Sequence, residues 1–285
     1  MSASPLRNRL LLVAAAILFS TGGAAIKAAT LGGWQVACFR SGVAAAVLLA
    51  VLPQARRGWS WRIAPVAAAY AATLIAFVMA NRLTTSANAI FLQSTAPLYL
   101  LLLGPLLLKE PLRRADLVYM LAVAAGLTLF FVSSQPALAT APDPPRGNVV
   151  ALFSGLSYAL MLAGLRWLGR HPERDVGLAS VAMGNALACL ATLPMALPVR
   201  SISPADGAMI LYLGAFQIGL AYVCVTKAMR HVTAFEANAL LLVEPALNPV
   251  WAWMVHGERP PALALTGGGL ILSATLVHTW RLRRG

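Results

Sequence analysis

Glu244 lies in LLLVEPALNPVWAWMVHGERP, Leu240–Pro260, an apolar stretch that also holds Asn248 and the prolines Pro245 and Pro249. If a helix runs from about Ala234 to Val255, Glu244 stands roughly 15 Å from its start at ~1.5 Å per residue, near the middle of a ~30 Å hydrocarbon layer. An acid at that depth costs about 2.5–3.5 kcal/mol on insertion scales, so it must face protein or water. Two chemistries fit it. The carboxylate binds a cationic group of a substrate or exchanges a proton during transport; alternatively it is half of a structural ion pair with Lys27, Arg40 or Lys227. Asn248 and Trp251 follow at i+4 and i+7, which places all three on one side of the helix. Pro245 frees the carbonyl of Leu241 and Pro249 that of Pro245, and backbone loosened in this way needs neighbouring helices or a wet cavity.

A second apolar stretch, around Gln93 and Pro97, repeats this arrangement, and Gln93 joins Asn248 as a polar candidate for the site. Tyr99, Tyr158, Tyr222, Phe77, Trp251 and Trp253 could line a cavity suited to an aromatic solute, or face lipid or pack. Asn88, Thr95, Asn185 and Gln217 suit interhelical hydrogen bonds. Lys27 and Arg40 fall near the outer ends of the first two helices, where they would snorkel to the surface or meet a substrate carboxylate at a cavity mouth. Glu110 and Glu258 read as structural, holding short loops through their basic neighbours. Gly267, Gly268 and Gly269, with Ser273, suit close helix packing, including that of a homodimer.

No enzyme is expected. His171, His231 and His256 fall near helix ends and His278 is alone in its span, so no catalytic cluster forms. No phosphate-cradling GxxxxGK[ST] loop is present, which argues against direct use of ATP. Cys38, Cys189 and Cys224 have no paired spacing and suggest neither a disulfide framework nor zinc. Neither a cofactor nor a metal is expected.

These residues need a membrane to position them. The chain has 59% hydrophobic and 11% charged residues and a mean hydropathy of +0.75, which excludes an ordinary soluble globule. The formal charge of +13 sits in short clusters between apolar spans, not on a face interleaved with stacking aromatics, so no nucleic-acid partner is expected. Spans are expected near Leu10–Lys27, Trp34–Leu52, Arg62–Asn81, Ala87–Leu108, Arg114–Val132, Asn148–Leu168, Val176–Leu197, Ala205–Lys227, Ala234–Val255 and Ala262–Trp280. Phe77–Pro111 aligns with Val225–Arg259 at an offset of 148, matching Arg82 with Arg230, Thr85 with Thr233, Pro97 with Pro245 and Glu110 with Glu258. At an offset of 139, Phe19 meets Tyr158 and Lys27 meets Arg166, which favours a retained first helix over a cleaved signal peptide.

The expected architecture is therefore an all-α polytopic membrane protein of ten transmembrane helices, in two inverted five-helix repeats around a central cavity. Residues 1–133 form the first repeat, the proline-rich 134–147 a linker, and 148–285 the second repeat. With cytoplasmic termini, 16 basic residues fall inside and 6 outside, a positive-inside bias. The loops at Gly32 and Pro142 are then extracytoplasmic, and those at Gly58 and Pro172 cytoplasmic.

The segments LLVEPALNPVWAWMVHGERP with TGGGLILSA, and NRLTTSANAIFLQSTAPLYLLLLGPLLLKEP, resemble the EamA-type branch of the drug/metabolite transporter superfamily. That branch shows twice a helix of small residue, proline, apolar run and glutamate, matched by Pro97 to Glu110 and Pro245 to Glu258. One departure is Phe19-Ser20, where the family often has a Trp-Gly pair. The resemblance implies ten helices in inverted halves, termini inside, and export of small metabolites. Within the branch the chain is most similar to bacterial aromatic amino-acid exporters of the YddG type. The expected function is alternating-access export of amino acids, aromatic or large and apolar, across the bacterial inner membrane. Export of cationic drugs or other small amphiphiles is the alternative.

Overall fold

A computed structural model describes residues 5–105, 114–132, 137–169, 177–229 and 240–284. Apart from one isolated bridge between Leu138 and Ala141, all regular structure among them is helical. The helices make ten passes. Helix α1 runs Pro5–Ser20 and resumes as Gly22–Ala28, α2 is Gly33–Val51, α3 is Ala64–Leu83, and α4 is Ser86–Gln93 followed by Ala96–Leu103. Helices α5 (Arg114–Val132), α6 (Pro144–Gly169) and α7 (Gly177–Ala196) follow. The eighth, α8, comprises Pro204–Leu211, a π-helical stretch Tyr212–Leu220, and Ala221–Met229; α9 is Val243–His256 and α10 is Ala262–Arg284. Seven passes are long and apolar enough to cross a membrane, and α5 and α10 carry the shorter apolar stretches Asp116–Leu129 and Ala262–His278.

Contacts at the helix ends establish the direction of each pass. Lys27, closing α1, forms an ion pair of 2.6 Å with Glu258, which closes α9, and donates to the carbonyls of Thr84 between α3 and α4 and Thr140 before α6. Thr30 donates to Asp206 at the start of α8, and Gln35 at the start of α2 donates to Ala196 at the end of α7. The ends of α1, α3, α7 and α9 and the starts of α2, α4, α6 and α8 therefore share one face. Helix α1 ends where its counterpart α6 begins, so the second half is inverted relative to the first. The start of α1 and the end of α10 then lie toward the opposite face.

Helix pairing follows the same exchange of first-half and second-half partners. Helix α3 packs on α6 and α7, as α8 packs on α1 and α2, while α2 meets α7, α4 meets α9 and α5 meets α10. In lipid, helix association rests on close packing of small residues rather than on hydrophobic driving force. A methyl group on Gly184 of α7 would come within 2.9 Å of the Ala67 carbonyl of α3, and one on Gly126 of α5 would come equally near the Gly267 carbonyl of α10. Gly268 admits the Phe91 ring of α4 in the same way. The glycine run of α10 is thus used in part within the chain.

Several expectations change. Helix α6 begins at Pro144, inside the anticipated linker, because proline costs nothing in a first helical turn and Asp143 Oδ1 accepts from the Arg146 N–H at 3.2 Å. Lys27 does not snorkel. Its side chain is 2% exposed, held by Glu258, which therefore pairs with a base from the other half of the chain rather than with its own loop neighbours. Cys38 and Cys189 are brought together across α2 and α7, with sulfurs 3.6 Å apart, as free thiols. Glu110, His171, Pro172, Arg230, His231 and the expected start of the ninth span at Ala234 lie outside the described residues.

Candidate functional site

Helices α4 and α9 are both interrupted, and at the same place in the repeat. Helix α4 breaks at Ser94 and Thr95, and α9 at Leu242, 148 residues after Ser94. Pro97 and Pro245 therefore lie in the first turn of a new half-helix, not in the interior of a continuous one. Their missing N–H groups are among the donors that a helix start leaves unpaired in any case, which corrects the view of them as mid-helix loosening points. Glu244 occupies that same first turn of α9, where unpaired N–H groups and the helix dipole favour an acid.

The two breaks border a cavity of about 430 Å³, within the range of small-molecule sites. Its wall contains Glu244, Pro245, Gln93, Pro97, Phe77, Tyr158 and Tyr222 from the sequence-based set, together with Phe19, Arg40, Tyr70, Thr73 and Gln217. Positions related by the offset of 148 line it in pairs: Tyr70 with Ile218, Leu74 with Tyr222, Phe77 with Val225, Gln93 with Leu241, and Pro97 with Pro245. Phe19 and Tyr158, related by the offset of 139, do so as well. Glu244 pairs in this sense with Ala96. The repeat builds the container, and the acid is present on one side only.

Among the described residues Glu244 has no ion-pair partner. Lys27 is occupied by Glu258, Lys227 is exposed, and Arg40 does not reach it; among the described residues its carboxylate makes no hydrogen bond. The acid interacts electrostatically with Tyr70, Tyr158 and Tyr222. Tyr222 stands edge-on to Phe19 at 5.4 Å and to Tyr70 at 6.3 Å, the T-shaped geometry aromatic rings prefer. Gln93 Nε2 donates to Ser154 Oγ at 2.9 Å, and that hydroxyl donates to the Thr73 carbonyl, so its amide is already engaged in the wall. Gln217 Nε2 reaches the Phe19 carbonyl at 3.3 Å, near the interruption of α1 at Thr21.

Three of the expected residues are elsewhere. Trp251 donates from Nε1 to Ser20 Oγ at 2.8 Å and so ties α9 to α1; the Ser20 that departs from the family's usual glycine supplies this acceptor. Asn248 is completely buried between the same two helices, where a methyl on Gly23 would come within 2.8 Å of its Oδ1. Tyr99 lies beyond the cavity on the second half of α4, half-buried. Residues were also missed: Tyr70, Thr73 and Leu74, which with the expected Phe77 are spaced i, i+3, i+4, i+7 on α3 and share one face. That spacing was a usable signal for Tyr70 once Phe77 had been singled out.

A layer of polar contacts lies between the cavity and the Lys27–Glu258 face. From Glu258 back to Pro245 along α9 is ~20 Å of helix. The intervening layer holds the ion pair, the Ser86 N–H donating to Glu258 Oε2 at 2.9 Å, and Asn148 Oδ1 accepting from Thr84 and Asn88. Among the described residues no group of three or more His, Cys, Asp or Glu side chains could hold a metal ion.

Two inverted halves with helices broken beside a shared cavity are a design that transporters use. The chain belongs to the EamA-like transporter family, whose sequence pattern matches residues 8–132 and again 145–280. Among curated proteins it is similar to the pseudopaline exporter CntI of Pseudomonas aeruginosa, in strains UCBPP-PA14 and PAO1. Each is 26% identical over 290 residues, covering 97% of this chain and 96% of the relative. A solved crystal structure matches 97% of this chain and 98% of its own with a TM-score of 0.62 at 19% identity, a likeness of fold alone.

Proposed function

We propose that this protein exports amino acids or closely related zwitterions with an aromatic or large apolar body across the bacterial inner membrane, by alternating access. One observation carries the reading: Glu244, with no partner among the described residues, stands in a cavity walled by Phe19, Tyr70, Phe77, Tyr158 and Tyr222. An acid without a base offers its charge to a solute's ammonium or to a proton, and the rings offer stacking and cation–π surface. Glu244 is accordingly the substrate-binding and coupling residue, with Tyr158, Tyr222, Phe77, Gln93, Pro97 and Pro245 completing the wall. Similarity to exporters of pseudopaline supports the direction of transport. The positive-inside bias supports cytoplasmic termini, which makes the Lys27–Glu258 face the extracytoplasmic one. The same acid and rings would also suit a hydrophobic cation, the second reading.

Counterflow of a panel of labelled amino acids into proteoliposomes decides between them. Aromatic and large apolar amino acids should exchange and be competed by one another. Exchange confined to cationic drugs would overturn the amino-acid reading.

A further inference from the structure

Arg40 is 1% exposed and lines the cavity, yet no carboxylate among the described residues pairs with it. Its Nη2 donates to the Leu74 carbonyl of α3 at 3.1 Å, while Nε is buried without a partner. A guanidinium offers five N–H donors in a fixed fork and no acceptor, and its natural complement is a planar oxyanion taken two bonds at a time. One backbone carbonyl uses a fifth of that capacity. Acids that could have completed it are engaged elsewhere: Glu258 with Lys27, and Asp206 with Thr30 and Ser203. A buried cation left this open is costly in a bilayer and marks a substrate path.

The position of Arg40 is firmly set. A methyl on Gly214 of α8 would come within 2.7 Å of the Arg40 carbonyl, so α8 lies directly against this turn of α2. Tyr70 lies within electrostatic range of both Arg40 and Glu244, which do not pair with each other. The cavity therefore has a cationic pole on α2 and an anionic pole on α9, with Tyr70 between them and further rings around.

We propose that Arg40 is the carboxylate-binding pole of this cavity, so that the exported solute carries an anionic carboxylate read by Arg40 as well as a cationic group read by Glu244. This rests on the reading of the cavity as the substrate site, and it makes Arg40 the residue that separates zwitterions from hydrophobic cations. Among the described residues nothing else along the wall supplies a fixed positive charge.

The test uses the full-length protein in liposomes and four probes: phenylalanine, its methyl ester, phenethylamine and 3-phenylpropionate. In the wild type, phenylalanine should compete for labelled phenylalanine at least tenfold better than the ester or the amine. Arg40→Gln should lower phenylalanine counterflow at least tenfold and abolish that preference, and Arg40→Lys should restore part of both. Equal competition by ester, amine and amino acid in the wild type overturns the proposal while leaving an amino-acid exporter in place, and needs no variant to fold. Movement of 3-phenylpropionate without phenylalanine supports Arg40 and overturns the amino-acid reading. Movement of phenethylamine alone, or of none of the four, overturns both.

Discussion

At the scale of the residue, the two acids at either end of α9, Glu244 in its first turn and Glu258 just past its last, are opposites. Glu258 has a base at 2.6 Å, whereas Glu244 has none among the described residues. Substitution by the isosteric amide should separate them. Glu244→Gln strands no base, so the melting temperature in detergent should stay near the wild-type value while counterflow of a labelled aromatic amino acid falls. Loss of a hydrogen bond to a charged group, about 1.5–3 kcal/mol, corresponds to roughly ten- to a hundredfold in affinity. Wild-type transport should vary between pH 5.5 and 8, and the variant's should not; a stable variant with unchanged transport across that range would remove Glu244 from the mechanism. Glu258→Gln should instead lower stability, because removing one partner of a buried pair costs about 3–5 kcal/mol. Replacing both partners, Lys27→Met with Glu258→Leu, should recover much of that loss in a double-mutant cycle. Additive losses would show that the pair is not coupled.

At the scale of the element, the breaks in α4 and α9 decide what three prolines do. Pro97 and Pro245 begin half-helices, whereas Pro249 lies inside α9 and removes a donor from a formed helix. Pro97→Ala and Pro245→Ala should therefore change stability by less than about 1 kcal/mol. Pro249→Ala should raise the melting temperature, toward the ~3 kcal/mol that separates alanine from proline in a helix interior. If Pro245→Ala is instead the strongly stabilising change, the ninth helix is continuous through Leu242 and the placement of Glu244 at a helix start is wrong. The break itself was hidden in the sequence, since a proline has the same local appearance whether it kinks a helix or starts one.

At the scale of the whole molecule, inversion requires Gly32 and Pro142 to share a face opposite Gly58, and the hydrogen bonds around Lys27 place the first two loops together. The orientation of that face in the cell is open to direct measurement. Single cysteines at Gly32, Gly58 and Pro142, in a background with Cys38, Cys189 and Cys224 replaced, should react with a membrane-impermeant maleimide from outside at positions 32 and 142, and only after permeabilisation at position 58. Labelling of all three from one side would contradict the alternating ten-pass arrangement. Reaction of position 58 alone from outside would keep the fold and reverse its orientation.

Hydropathy, the offset of 148 and the split of basic residues were enough to establish the membrane class, the ten passes, the duplicated unit and its inversion. Each of these follows from local composition or from counting, and an odd number of passes per unit leaves no other arrangement. An unusual acid at mid-depth was visible for the same reason, as an exception to local composition. The tertiary structure decided which residues meet. It paired Lys27 with Glu258 across the two halves, left Glu244 without a base, tied Trp251 to Ser20, and set Arg40 and Tyr70 in the cavity wall. Helical spacing groups residues on a face but does not say which way that face turns. In spans apolar on all sides, lipid-facing and protein-facing residues look alike, so rotation about each axis is settled only by the close packing of glycines such as Gly184 and Gly214 against neighbouring helices.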